Sequence, residues 1–153
     1  MRQHAVYANR YTQLYQKEKN KMTELHQSYR EAFNQREDFK VRYKFRSEEE
    51  GGRQCLPYQG IRSDFWYICD NHETEGIFMI WPEFEDENGG LVSSGQVLKE
   101  GIARMWIINS NMRKYHQTRI KKGTMGYFME GARKTADCEV IEIVDLMINQ
   151  IED

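Results

Sequence analysis

Between Phe39 and Arg46 the chain alternates without a fault, with Phe39, Val41, Tyr43 and Phe45 on one parity and Lys40, Arg42, Lys44 and Arg46 on the other. Successive side chains of a strand point to opposite faces, so only an extended backbone gathers the apolar set onto one side. The other side then presents four cations in a row, about 6.6 Å apart, twice the rise per residue. A lone strand of this kind is not stable and needs neighbours. Strand-like runs at 65–69, 76–81, 101–108, 126–129 and 138–144 supply five more, separated by turn-rich stretches at 50–52, 70–75, 87–90, 121–123 and 130–134. Six strands joined by short polar connections leave little room for crossover helices. The fold class is therefore mainly β, an antiparallel barrel or sandwich. Pro57 and Pro82 fall at strand margins, where a missing amide costs least.

The chain before this strand has a different period. Tyr7, Tyr11, Leu14, Tyr15, Met22, Leu25, Tyr29 and Phe33 recur mostly at steps of three and four, with no Gly or Pro among them. That spacing predicts one long helix, or two shorter ones, over 5–33. A helix this polar is marginal alone, so its stripe has to dock, either on its own domain or on another chain. Tyr7, Tyr11 and Tyr15 are its candidate partner-binding residues. The organisation expected is a helical segment over 1–38, a β domain over 39–147 and a short tail over 148–153.

Charge and composition exclude several classes of protein. With 22 basic against 24 acidic side chains, a net charge of -2, the chain lacks the global positive field of a dedicated nucleic-acid binder. Apolar residues are 39% and charged residues 30%, and no apolar run approaches the ~20 residues that cross a bilayer, so no membrane partner is expected. Cys55, Cys69 and Cys138 are odd in number and lack CxxC spacing. That suits a reduced, cytoplasmic chain better than a secreted disulfide framework.

Catalytic motifs are missing. The phosphate-binding loop needs a glycine-rich turn ending in GK[ST], so that amides and a lysine surround the phosphates; Gly51-Gly52, Gly89-Gly90 and Gly123-x-x-Gly126 are only turn glycines. No GxSxG elbow is present. Cys69 and His72 have the spacing of half a metal site, without the other half. Glu83, Glu85, Asp86 and Glu87 form an acidic cluster that reads either as a hard-cation site or, more simply, as a solvated turn before Asn88-Gly89-Gly90. No catalytic residue, metal or cofactor is expected.

One block is more specific. Glu50-Gly51-Gly52-Arg53, followed by Pro57, Gly60, Arg62, Phe65 and Tyr67, resembles the start of the third domain of bacterial elongation factor Tu, where EGGR and a proline precede GYRPQFYF. Gly95, Gly101-Ile102-Ala103, Ile120, Gly123, Tyr127-Phe128 and Glu130-Gly131-Ala132-Arg133 are similar to its later strands and hairpin, so the likeness runs from about Phe39 to Val144. It implies a closed six-stranded antiparallel barrel, here with an N-terminal helix added. The GTPase domain of that family is absent from the sequence, which leaves no guanine nucleotide. In the family this domain helps to grip the T-stem of aminoacyl-tRNA. The matching positions are Arg53, Asp64, Glu130 and Gly131, with Thr74 or Glu75 nearby. Asp64 replaces a glutamine, Ser63 a proline and Ile68 an arginine. A carboxylate repels phosphates, and a lost cation removes about one counterion's worth of binding.

Two functions follow as expectations. The first is a non-enzymatic protein-binding module, reused as an adaptor, a regulator or a toxin-neutralising, immunity-type partner. The second is a module that binds tRNA or rRNA through Lys40, Arg42, Lys44 and Arg46, with Arg53, Arg62, Asp64, Glu130 and Gly131 as further contacts to RNA or to a partner.

Overall fold

A computed structural model of the protein describes residues 26–71 and 76–149. Its elements run α1 (Tyr29–Phe33), β1 (Phe39–Phe45), β2 (Asp64–Tyr67), β3 (Ile80–Phe84), β4 (Glu100–Ile107), a 3-10 turn (Ser110–Met112), α2 (Arg113–Arg119), β5 (Met125–Glu130) and β6 (Arg133–Ile143). The strands form one six-stranded sheet in the order β2-β5-β6-β1-β4-β3, every pair antiparallel. β1 has the expected alternation: Phe39, Val41, Tyr43 and Phe45 are buried, while Arg42 and Lys44 are exposed. Inside the curl, the Tyr43 ring meets Phe84 edge-on at 5.0 Å and Phe128 at 5.8 Å, and its hydroxyl donates to the Leu98 carbonyl at 2.8 Å.

The sheet curls because β6 carries extra residues. Lys40 pairs with Glu142 and Val41 with Val140; Phe128 pairs with Ala136 and Met129 with Lys134. Each shift sets two residues against one, a bulge that bends a strand and increases its twist.

The expected closed barrel is corrected to a curled half-barrel. Between the edge strands β2 and β3 there is one isolated bridge, Phe65 to Phe78, in place of a ladder. Ile80 N–H turns back to the Phe78 carbonyl at 2.9 Å, and Ile108 N–H takes the Met79 carbonyl. The chain therefore kinks at Met79, leaving β2 for β4, and the ladder has no second rung. Pro82 also lies inside β3 rather than at its margin, a position open to proline because β3 has a neighbour on one side only. The free edge is blocked at Phe84, whose amide donates to Gln59 Oε1 at 2.7 Å while Gln59 Nε2 donates to the Phe84 carbonyl at 2.7 Å.

The end of the expected N-terminal helix is described as α1. The Ser28 hydroxyl accepts from Glu31 N–H, and Asn34 ends the helix with a φ of 51°. Tyr7, Tyr11 and Tyr15 lie outside the described residues. α1 rests on the outer face of the sheet, where Tyr29 meets Trp106 edge-on at 5.7 Å and Phe33 meets it at 5.9 Å.

Gly52 and Gly126 are required for packing, since a Cβ on Gly52 would stand 2.2 Å from the Arg46 carbonyl oxygen. A Cβ on Gly126 would stand 2.4 Å from Phe65 Cζ and 2.9 Å from the Trp66 carbonyl oxygen, and the Phe65 ring is fully buried with nowhere to move. Gly126→Ala is expected to cost about 2 kcal/mol of stability, read as a lower midpoint in urea unfolding.

Candidate functional site: the charged outer face

The four cations at Lys40, Arg42, Lys44 and Arg46, along and just after β1, do not stand as a free row. Lys40 Nζ lies 2.9 Å from Glu85 Oε1, and Arg46 makes a two-point pair with Asp137 at 2.9 and 3.0 Å. The hydrogen bond to Asp137 holds the Arg46 guanidinium above its usual range, against the opposing effect of burial and with the charge of Asp137 adding to it. Arg42 and Lys44 are exposed, but their cross-strand neighbours are Glu139 for Arg42, and Asp137 and Glu100 for Lys44. Strand pairing thus interleaves the basic row with an acidic one, and opposite charges facing each other across strands stabilise the sheet. A shallow groove of about 510 Å³ crosses this face, lined by Arg42, Lys44, Glu100, Ile102, Met125 and Glu139 among others.

Arg53, Glu130 and Gly131 are brought together. The Arg53 guanidinium pairs with the Glu130 carboxylate, and its Nε donates to the Cys55 carbonyl at 3.0 Å. Gly131 forms the hairpin tip with a φ of 57°. Arg53 and Glu130 border a cleft of about 630 Å³ shared with Glu48, Gly51, Gly52 and Arg133. Asp64 is one strand away, opposite Met129, and accepts from Trp81 Nε1 at 3.2 Å, while the Arg62 guanidinium lies 5.2 Å from the Trp81 ring centre. Arg53 is thus already occupied by a carboxylate, and Arg62 and Asp64 are both engaged with Trp81. Thr74 and Glu75 lie outside the described residues.

The acidic cluster is not a solvated turn. Glu83 is fully buried under α1, taking hydrogen bonds from Trp106 Nε1 at 2.9 Å and Tyr29 N–H at 2.9 Å, with His26 Nε2 at 2.6 Å. Glu85 is 6% exposed between Lys40 and Arg104. Only Asp86 and Glu87 belong to the turn, with Asp86 Oδ1 accepting from Asn88 and Gly90 N–H. The reason is register: Glu83 and Glu85 point to the outer face of an edge strand that other chain segments cover. Glu37 is equally hidden, with Arg30 Nη2 donating to its two oxygens at 2.7 and 2.9 Å and Arg30 Nε to Oε1 at 3.2 Å. Burial, the largest single influence, would raise its carboxyl, but the hydrogen bonds from Arg30 and from the backbone together with the Arg30 and Arg104 charges hold it below its usual range.

At one end of the half-barrel, α2 brings His116 onto Tyr67, with Nδ1 2.7 Å from the phenol oxygen. Arg119 stacks 3.9 Å from the Tyr67 ring centre and pairs with Asp70. Nothing in the sequence pattern marks α2, because its packed residues include His116 and Arg113 rather than an aliphatic stripe. Cys69 is exposed, with Arg119 Nη2 at 3.7 Å; His72 lies outside the described residues. Among the described residues no group of three or more His, Cys, Asp or Glu is placed to hold a metal, and no helix is long and apolar enough to cross a membrane.

Burial, helped by the Arg119 and Arg113 charges, pushes the His116 imidazole down from 6.5 to about 4. Its folded pKa lies below its unfolded one, so its contribution is full above about pH 6.5 and is lost as pH falls toward 4. Unfolding in urea is expected to show stability falling by up to about 3 kcal/mol across that window. The slope is expected to flatten in His116→Phe. Glu37, also depressed, acts at lower pH.

Compared with models of known protein families and with curated proteins, the chain matches none.

Proposed function

We propose that the chain is a non-enzymatic protein-binding module, a half-barrel with the character of a translation-factor domain that serves as an adaptor, a regulator or an immunity-type partner. The observation that carries this reading is the interleaving of β1's cations with Glu85, Asp137, Glu139 and Glu100. A polyanion meeting that face gains little, because each phosphate approaching Arg42 or Lys44 also approaches a carboxylate. Protein surfaces, which carry both signs, match such a pattern and gain specificity from it. The titratable groups in the interior support the same reading: Glu37, Asp38, Glu83 and His116 are engaged in structural bonds rather than turned toward a shared cavity. Free thiols at Cys55, Cys69 and Cys138 fit a reducing, cytoplasmic setting.

The test is affinity capture of the full chain from a bacterial lysate at low and at moderate salt, with protein and RNA both identified. A stoichiometric protein partner that persists at moderate salt is the expected result, and capture without any protein overturns the reading. The RNA-binding alternative predicts tRNA binding that falls steeply with salt and weakens in Arg42→Ala plus Lys44→Ala. We expect binding that is weak from the outset, with a log–log salt slope of about 2 or less.

A further inference from the structure

We propose that the seam where the sheet stops short of closing is a docking surface for an acidic protein segment that carries apolar side chains. This rests on the protein-binding reading and adds where the partner sits and what chemistry it brings. The Phe65–Phe78 bridge turns Phe78 inward, so that its neighbours Ile77 and Met79, on the opposite parity, lie on the outer side of the seam. Ile77 is 39% exposed and Met79 45%, so an aliphatic strip faces solvent along the seam. The rings of Trp66 and Trp81, each half-buried, continue it.

Two cations flank the two tryptophans, and unlike seven other cations of the molecule they rest on rings alone rather than on carboxylates. Arg30, Lys40, Arg46, Arg53, Arg104, Arg113 and Arg119 all sit on carboxylates. Arg62 sits on a ring, 5.2 Å from the centre of Trp81, and Lys134 lies 4.4 Å from the centre of Tyr127 and 5.8 Å from that of Trp66. Neither has an ion pair among the described residues. A cation held over an aromatic face keeps its full charge and has already given up water on one side, so an incoming carboxylate pairs with it at reduced cost. The apolar strip adds what a phosphate backbone cannot use. The complement is therefore a protein segment with acidic groups flanking aromatic or aliphatic ones, the composition that interface anchors favour.

The test uses the 15N-labelled full chain and a random copolymer of glutamate and tyrosine as probe, with polyglutamate, a lysine–tyrosine copolymer and poly(U) as comparisons. The expected result is movement of the Trp66 and Trp81 indole N–H signals while that of Trp106, bonded to Glu83 beneath α1, stays in place. Arg62→Glu plus Lys134→Glu is expected to weaken binding about tenfold or more. Met79→Ser, which leaves both cations in place, is expected to weaken it as well. The seam assignment is overturned if Trp66 and Trp81 do not respond, if the charge-reversed variant binds as well as the original, or if poly(U) moves the same two signals at lower concentration. A silent seam alongside a captured protein partner leaves the protein-binding reading standing; an empty capture removes that reading itself.

Discussion

Asp38→Ala is expected to lower the free energy of unfolding by about 3–5 kcal/mol, the largest effect of any single polar substitution considered. Asp38 stands one residue before β1 and is 1% exposed. Its Oδ2 accepts from Ile107 N–H at 2.8 Å, and its Oδ1 accepts from Asn149 Nδ2 at 2.8 Å and from Arg113 Nη1. Arg113 is itself only 3% exposed. One carboxylate thus ties together the entry to β1, the end of β4, the start of α2 and the residues after β6. Alanine would leave a buried guanidinium, an indispensable backbone donor and an amide all short of a partner, and each buried unsatisfied group costs about 1–3 kcal/mol. The measurement is a urea unfolding curve. A double variant, Asp38→Asn with Arg113→Met, removes both charges and keeps an acceptor for Ile107. It is expected to be more stable than Asp38→Ala, because the penalty lies in the orphaned charge more than in the lost pair. A double variant no more stable than Asp38→Ala would contradict that account.

The strands were legible because period and burial speak the same language. β1 matches the alternation of Phe39 to Phe45 residue for residue, and each of the other five runs overlaps an observed strand, the one at 76–81 only at Ile80 and Trp81. The boundaries moved where turn chemistry competed with pairing. The stretch at 130–134 reads as a turn, yet only Gly131 and Ala132 lie between the paired Glu130 and Arg133, so β6 begins at Arg133. Closure was not legible, since a kink at Met79 is a matter of which neighbour each carbonyl finds. The cationic row was legible as a row, but not as a neutralised one. Pairing between β1 and β6 joins residues almost a hundred positions apart, and nothing local places Asp137 beside Arg46. Buried carboxylates escaped for the same reason. Glu83 and Glu85 look like solvent-facing acids until α1, Arg104 and Lys40 are placed over them. His116 gave no signal at all, because an imidazole on a short polar helix has no periodicity to betray it.

Glu83→Ala is expected to cost about 4 kcal/mol and to free residues 26–33 from the sheet. The two oxygens of Glu83 divide their work: Oε1 accepts from Trp106 Nε1 on β4, and Oε2 accepts from Tyr29 N–H at the start of α1 while contacting His26 Nε2. The residue is therefore a two-sided clasp, with one oxygen on the barrel and the other on the helix laid over it. A helix of five residues has too few internal bonds to persist alone, so its stability comes from this clasp and from Tyr29 and Phe33 packing on Trp106. Loss of the carboxylate strands the Trp106 indole in a site 2% exposed and withdraws the acceptor that orders the first turn. The expected readout is a red-shifted tryptophan emission and faster amide exchange over 26–33 at neutral pH, beyond the change in unfolding midpoint. Glu83→Gln keeps one good acceptor and is expected to lose roughly half as much, with Trp106 still covered. Because α1 packs on Trp106, which pairs across strands with Trp81, releasing it is expected to shift the Trp81 signal, while that of Trp66, paired with Tyr127 on the far side of the seam, stays where it was. The unmoved Trp66 signal would separate the fastening of the helix from the surface on which a partner would dock.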